Sequence, residues 1–292
     1  MPAADLPFGL PEVDYSEYTN RQLIAVPLGV LLVALLIIGG VWVTTGAPVD
    51  LGVEFSGGTE MRVGVDGANP QQQISDAFDP APSNVQPIAE ENTYILTFGE
   101  GVESNTLQSQ AEAAGFSVLS IDGTSASFGE EAQIQALGGI AIAFVGMSVL
   151  VFAMFRTFVP SIAVVLSAFS DVVVPLALMN VLGIQLTLGS VAALLMIIGY
   201  SVDSDILLNN HVLRRQGSFY ESAYRAMETG ITMTLTSIAA MIVMTVVATA
   251  FGIGLLSSIG LILVFGLATD LLNTYMLNMS LLRWWKFEGV NR

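Results

Sequence analysis

Apolar residues gather in six long runs, at about Leu23–Val43, Ile134–Phe155, Phe158–Leu182, Leu186–Asn209, Ile231–Phe251 and Leu255–Leu282. Each is long enough to cross roughly 30 Å of hydrocarbon as an α-helix. Between the first two runs the pattern changes. "VEFSGGTEMRVGV" alternates around two glycines and predicts a strand with a glycine bulge or turn. "PQQQISDAF" opens with proline and has helical spacing. "SNVQPIA" and "NTYILTF" predict two short strands joined at Glu90-Glu91-Asn92. "SNTLQSQAEAAG" predicts a helix with Ser104 or Asn105 as its cap and Gly115 as its stop, and "FSVLSID" a last strand. This β-α-β-β-α-β order fits a small ferredoxin-like sandwich. "GTSASFGEEAQ" reads as a linker back to the bilayer. The fold class expected is an α-helical polytopic membrane protein with six transmembrane helices and an external α+β domain after the first. Its divisions are an N-terminal segment (1–22), the first span (23–45), the acidic α+β domain (46–133), spans two to six (134–283) and a tail (284–292).

Composition agrees with a membrane protein: 53% of residues are hydrophobic and 12% charged. There is no cysteine, which excludes disulfides and thiolate metal sites. The formal charge is −16, and fourteen acids lie between Gly46 and Gln133 against Arg62 alone. Such a surface repels nucleic acid and anionic headgroups. It reads either as an acidic ligand surface or as a strongly hydrated one suited to high salt, where self-repulsion is screened. The lysine-poor, acid-rich balance favours a halophile. The first twenty residues lack a basic start, so the first run is expected to be a retained helix rather than a cleaved signal. Arg21, Arg156, Arg214, Arg215, Arg225, Arg283, Lys286 and Arg292 all face the cytoplasm if both termini do, which leaves only Arg62 outside. Localisation is then the cytoplasmic membrane, with the acidic domain extracellular.

The candidate chemistry lies within the spans. Asp171, Asp203, Asp205 and Asp270 fall there with no Lys or Arg at similar depth. A carboxylate near the bilayer centre costs about 2.5–3.5 kcal/mol on insertion scales. Asp203 and Asp205 are about 200° apart around a helix, so they point to nearly opposite sides. Asp205 shares a face with Ser201 and Asn209; Asp203 shares the other with Gly199 and Asn210. The fourth helix is therefore expected to be wedged between two polar neighbours. Asp270 forms a stripe with Gly266, Asn273 and Thr274, with Asn278 near it, and the fifth helix adds Thr232, Thr234, Thr236 and Ser237. A polar centre built from helices three to six is expected. Ser, Thr and Asn serve there as interhelical glue. The acids point to function, because an amide gives the same glue without the acid's cost. Enzyme signatures are absent: no phosphate-binding loop, one histidine and no cysteine, and "GYSVDSD" lacks the arrangement of intramembrane aspartyl proteases. No cofactor or metal is expected.

Two motifs carry a resemblance that covers nearly the whole chain. "LGVEFSGGTEMRV" resembles the Gly-x-Asp-Phe-x-Gly-Gly-Thr motif after the first helix of the SecF family of protein-export membrane subunits, with Glu54 in place of Asp before Phe55, Gly57, Gly58 and Thr59. "LGSVAALLMIIGYSVDSD" is similar to that family's helix-four signature, and Asp171 in "FSDVVV" matches the Asp of its His-Asp-Val, with Ser170 for His. The resemblance implies an accessory subunit of the Sec translocon, of the RND superfamily. Its partners are SecD, the Sec channel, the exported polypeptide and the lipid bilayer. It also implies use of the proton gradient through acidic groups near helix four. The chain departs from the bacterial pattern. Asp203-Ser204-Asp205 stands for Asn-Asp-Thr, Asn210-His211 for Asp-Arg, and Thr229 for an arginine. This pattern resembles the archaeal branch and argues against transferring the bacterial proton route directly. Two alternatives stay open: a scaffold for SecD and the channel without ion coupling, and half of an RND-like exporter of lipid or small molecules.

Overall fold

The computed structural model describes residues 15, 17–67, 69–87, 92–214 and 218–289. Glu90, Glu91, Arg215 and Arg292 therefore lie outside the described residues. Among the described residues six helices, alone or joined end to end, are long and apolar enough to cross a membrane. They are α1 (Asn20–Thr45), α5 (Ala126–Phe155), α6 (Phe158–Leu182), α7 (Leu188–Arg214), α8 (Phe219–Ala250) and a last one. The last begins as α9 (Gly254–Leu272), passes through π-helical turns at Asn273–Asn278, and continues as α10 (Met279–Trp284). Several outrun the apolar runs. Polar ends prolong them: Ser218 accepts from the Glu221 amide at the start of α8, and Gln135 bonds Glu131 one turn away on α5.

Between α1 and α5 the chain builds a four-stranded sheet in the order β2-β3-β1-β4, antiparallel throughout. β1 is Gly58–Gly64, β2 Asn84–Pro87, β3 Thr93–Phe98 and β4 Ser117–Thr124. α3 (Pro70–Ala77) and α4 (Ser104–Ala113) cover one face. They close a core of Met61, Val63, Ile74, Phe78, Leu96, Phe98, Leu107 and Phe116. Three local expectations need correction. Val53–Ser56 forms a helical turn, α2, and not strand; Gly57 and Gly58 then turn the chain into β1 with φ of 74° and 115°. Any side chain at Gly58 would meet the Phe98 carbonyl oxygen at 2.2 Å, so the motif's second glycine is a packing requirement. Ser104 is the first residue of α4, with Glu103 at the cap position. "GTSASFGEEAQ" is not a linker: β4 runs to Thr124 and α5 starts at Ala126.

In the bundle, α6 and α7 are the most enclosed spans. α1 lies against α6 through Leu31, Ala34, Val173, Val174 and Ala177. α9 meets α7 at Gly266, where an added Cβ would strike Ile197 at 2.3 Å. The faces of α5 and α8 that carry Ile142, Val145, Val149, Val243 and Val246 stay exposed and apolar. At the end of α1 away from the sheet, the Arg283 guanidinium donates to Asn20 and to the carbonyls of Tyr15 (2.6 Å) and Tyr18 (2.8 Å). The Tyr15 hydroxyl donates to the Tyr275 carbonyl at 2.9 Å. This fastens the last span to the residues before the first.

A cleft between the sheet and the helix ends is lined by Glu54, Glu60, Ile95, Thr187 and Ser257. Glu60 sits directly opposite Asp122 on β4. Burial first, then the charges of Asp122 and Glu54, raise its carboxyl above the ordinary value, against the pull of Arg62. A raised folded-state value means the neutral form is favoured by folding. Glu60 therefore adds stability in acid and loses that contribution as pH rises through the raised value. Glu60→Gln should unfold at a higher temperature than the parent at neutral pH and at the same temperature in acid. The neutral-pH gain should shrink as salt screens the acid pair. Thermal unfolding of the full chain in detergent, followed by circular dichroism at both pH values, measures this.

Candidate functional site

The polar centre is built by three elements: α6, α7 and the end of α9 with its π-helical turns. Asp171 on α6, Asp205 on α7 and Asp270 on α9 are all buried, with at most 1% of their surface exposed. Ser201 Oγ donates to Asp171 Oδ2 at 2.5 Å, and Asn273 Nδ2 donates to Asp171 Oδ1 at 2.6 Å. Asp205 Oδ1 accepts from Thr274 Oγ1 at 2.9 Å and from Asn278 Nδ2 at 2.8 Å. Asp270 Oδ1 lies 2.7 Å from Ser204 Oγ and 3.2 Å from Thr274 Oγ1.

Local structure explains why these side chains meet. Ser201, Ser204 and Asp205 occupy one stripe of α7 at three- and four-residue spacing. Asn273, Thr274 and Asn278 lie in the π-helical turns. Such turns are frequent at functional sites. Here Asn273 reaches α6 while Thr274 and Asn278 reach α7.

Hydrogen counting limits what this arrangement can be. The Thr274 hydroxyl has one hydrogen but two carboxylate oxygens within reach, Asp205 Oδ1 and Asp270 Oδ1. It donates to one at a time. The other contact is a hydrogen bond only when that carboxyl holds a proton. Ser204 is similarly shared between the Ser201 carbonyl (2.8 Å) and Asp270 (2.7 Å). Each amide NH₂ of Asn273 and Asn278 faces an acid, while their Oδ1 atoms are buried without a partner. The cluster therefore has spare acceptors next to its acids. Among the described residues the one ion pair is Arg225–Glu221, on the exposed start of α8, so no cation balances the three acids. Among the described residues, no three or more His, Cys, Asp or Glu side chains are arranged so that they could hold a metal ion.

Asp203 is exposed on the far side of α7 from Asp205, with Gly199 and Asn210 also exposed. The two-sided wedge expected for this helix is thus one-sided in the single chain. Asn209 is buried, yet neither of its amide atoms finds a partner. α8 stays out of the centre. Thr232 and Thr236 bond carbonyls of their own helix, and Ser237 meets the Tyr200 hydroxyl at 3.0 Å. Short hydroxyls commonly satisfy themselves on the preceding turn. Ser204 is the participant that sequence reasoning missed. Its three-residue spacing from Ser201 was the available signal. The motif after the first span is placed elsewhere: Phe55 is buried in the bundle's core cluster, Thr59 is buried on β1, where its hydroxyl donates to the Val102 carbonyl, and the Glu54 carboxylate accepts from the Leu188 amide.

Residues 104–288 match the family described as protein export membrane protein SecD/SecF, C-terminal. The chain is 68% identical over 286 residues to the protein-export membrane protein SecF of Haloferax volcanii, covering 98% of this chain and 99% of that one. It is 63% identical to the SecF of Haloquadratum walsbyi over 98% of this chain and 99% of the relative, and 39% identical to that of Methanolacinia petrolearia over 94% and 97%. The crystal structure of SecDF, a translocon-associated membrane protein from Thermus thermophilus, superposes with a TM-score of 0.71 at 18% identity. That match covers 94% of this chain and 39% of the SecDF chain, and it establishes a shared fold. The chain belongs to the SecD/SecF family of protein-export membrane proteins, in its archaeal SecF branch.

Proposed function

We propose that this chain pairs with SecD in the Sec machinery and assists export of polypeptides, drawing on a proton or other cation gradient through Asp171, Asp205 and Asp270. The observation that carries this reading is the set of three buried acids on facing helices, joined by shared hydroxyls and amides with no counter-cation among the described residues. A proton moved onto or off one acid changes which neighbour Thr274 and Ser204 bond. Those bonds hold α7 to the last span, so the packing of these helices changes with them. Asp203, exposed on the opposite side of α7, is assigned to the face that meets SecD. The distribution of basic residues supports cytoplasmic termini and an external acidic domain, the side on which an emerging polypeptide would meet it. The element order and the sheet order β2-β3-β1-β4 support a ferredoxin-like classification for that domain.

Asp205→Asn and Asp171→Asn should each lower export several-fold in cells carrying only the variant chain, with the amount of folded chain and its co-purification with SecD unchanged. Proton uptake by vesicles that contain the SecD pair should fall in parallel. Normal export by both variants would leave the scaffold reading. Thr274→Val keeps side-chain shape but leaves the buried acids one donor short. A loss of about 1–3 kcal/mol in stability is expected, together with the export defect. Thr274→Ser should restore export. Equal export by the Val and Ser variants would remove Thr274 from the proposed relay.

A further inference from the structure

The stretch between α1 and β1 is fastened to the end of α6 and to the start of α7 by four contacts. Asn180 Nδ2 donates to the Pro48 carbonyl at 2.9 Å. The Leu186 amide donates to the Asp50 carbonyl at 2.7 Å, and the Gly52 amide donates back to the Leu186 carbonyl at 2.9 Å. Leu51 and Leu186 thus form a parallel bridge. The Glu54 carboxylate then accepts from the amide of Leu188, the first residue of α7.

That last contact joins a charge to a helix end. The first amides of a helix have no acceptor within it, and the helix dipole favours negative charge there. Thr187 and Ser190 already cap α7 from within: the Thr187 amide donates to Ser190 Oγ (2.6 Å), and the Ser190 amide donates to Thr187 Oγ1 (3.2 Å). Glu54 adds a carboxylate from 134 residues away. Space around the strap is tight. A Cβ on Gly52 would meet Thr187 Cγ2 at 3.0 Å, and one on Gly129 of α5 would meet the Phe55 carbonyl oxygen at 2.8 Å. The strap is held between α7 and α5 and leads directly into β1, the strand flanked by β3 and β4.

We infer that Glu54 is a positioning residue that locks the α+β domain to the head of α7, so that the two move as one body. Asp205 lies seventeen residues further along the same helix, about 25 Å away at the helical rise. A tilt or axial shift of α7 at the acid cluster is therefore delivered to the sheet without slack. This assignment rests on the export reading for its consequence, but the joint itself can be tested apart from it.

The chain has no cysteine, so an engineered pair is unambiguous. Bridge partners on adjacent strands lie about 4.8 Å apart, within the range a disulfide spans. In the purified full chain, Glu54→Ala should raise hydrogen exchange several-fold at the amides of Gly52, Leu186 and Leu188, while exchange in the sheet core is unchanged. In cells it should lower export, with unchanged amounts of chain and of co-purified SecD. Glu54→Asp should retain both protection and export. Leu51→Cys with Leu186→Cys, oxidised in the Glu54→Ala background, should restore export, and reduction should remove it again. The same disulfide in the parent should be harmless. Unchanged exchange in Glu54→Ala overturns the joint whatever export does. Export that survives Glu54→Ala, fails to return on oxidation, or stops when the parent is cross-linked overturns its role. Normal export by Asp205→Asn alongside loosened amides in Glu54→Ala would sink the acid-coupling reading and leave the joint standing.

Discussion

Three carboxylates are enclosed in an apolar bundle without a cation among the described residues, and the packing of α6, α7 and the last span follows from that constraint. Acids in such a setting need hydrogen-bond donors, and the helices must approach closely enough to supply them. Gly266 permits the approach by admitting Ile197, one turn before Asp270. The π-helical turns then direct Asn273 to one neighbour and Thr274 with Asn278 to another. Apolar contacts among Val191, Leu194, Ile198, Ile262 and Leu263 complete the seam on the side toward the sheet. The polar centre and the apolar seam are thus parts of one interface, and a change in the former alters the latter.

Much of this was legible from residue spacing. The opposition of Asp203 and Asp205 follows from helical geometry alone, as does the grouping of Asp205 with Ser201. The alternation of "NTYILTF" and the punctuation of "SNTLQSQAEAAG" located a strand and a helix of the domain. Other features depend on information that no local window holds. Val53–Ser56 alternates like a strand but is drawn into a helical turn, with Phe55 buried in the bundle's core cluster. Thr232 and Thr236 of α8 match those of a polar interface in type and spacing, and only packing shows that they bond their own backbone. The Glu54–Leu188 contact joins residues far apart in sequence. A motif match identified both stretches but gave no reason for them to touch.

The difference between glue and a responsive site lies in the hydrogen-bond balance. A cluster that only fastens helices is best served when every buried donor and acceptor is matched. Here Thr274 is oversubscribed and the amide oxygens of Asn273 and Asn278 are unused. On the proposed reading, a network with shared hydrogens and spare acceptors has more than one arrangement. Moving a single proton is enough to choose between them. A cluster of amides in place of the acids would fasten the same helices, but it would have no titratable proton with which to make that choice.

Local rearrangement of this kind is small, and by itself it moves side chains over ångströms. What makes such a shift consequential is the stiffness of its connections. Packed helices transmit displacement because interiors are close-packed and resist compression. A flexible strap between α7 and the sheet would absorb a small shift, since each free backbone torsion adds slack. The backbone bonds between residues 50–52 and Leu186, together with the Glu54 contact, remove that slack where the domain meets the head of the acid-bearing helix. The glycine of the strap belongs to the same argument: at Gly52 a side chain would press on Thr187 Cγ2 at 3.0 Å and on the Leu186 carbonyl oxygen at 3.2 Å, against the bonds that hold the strap in place.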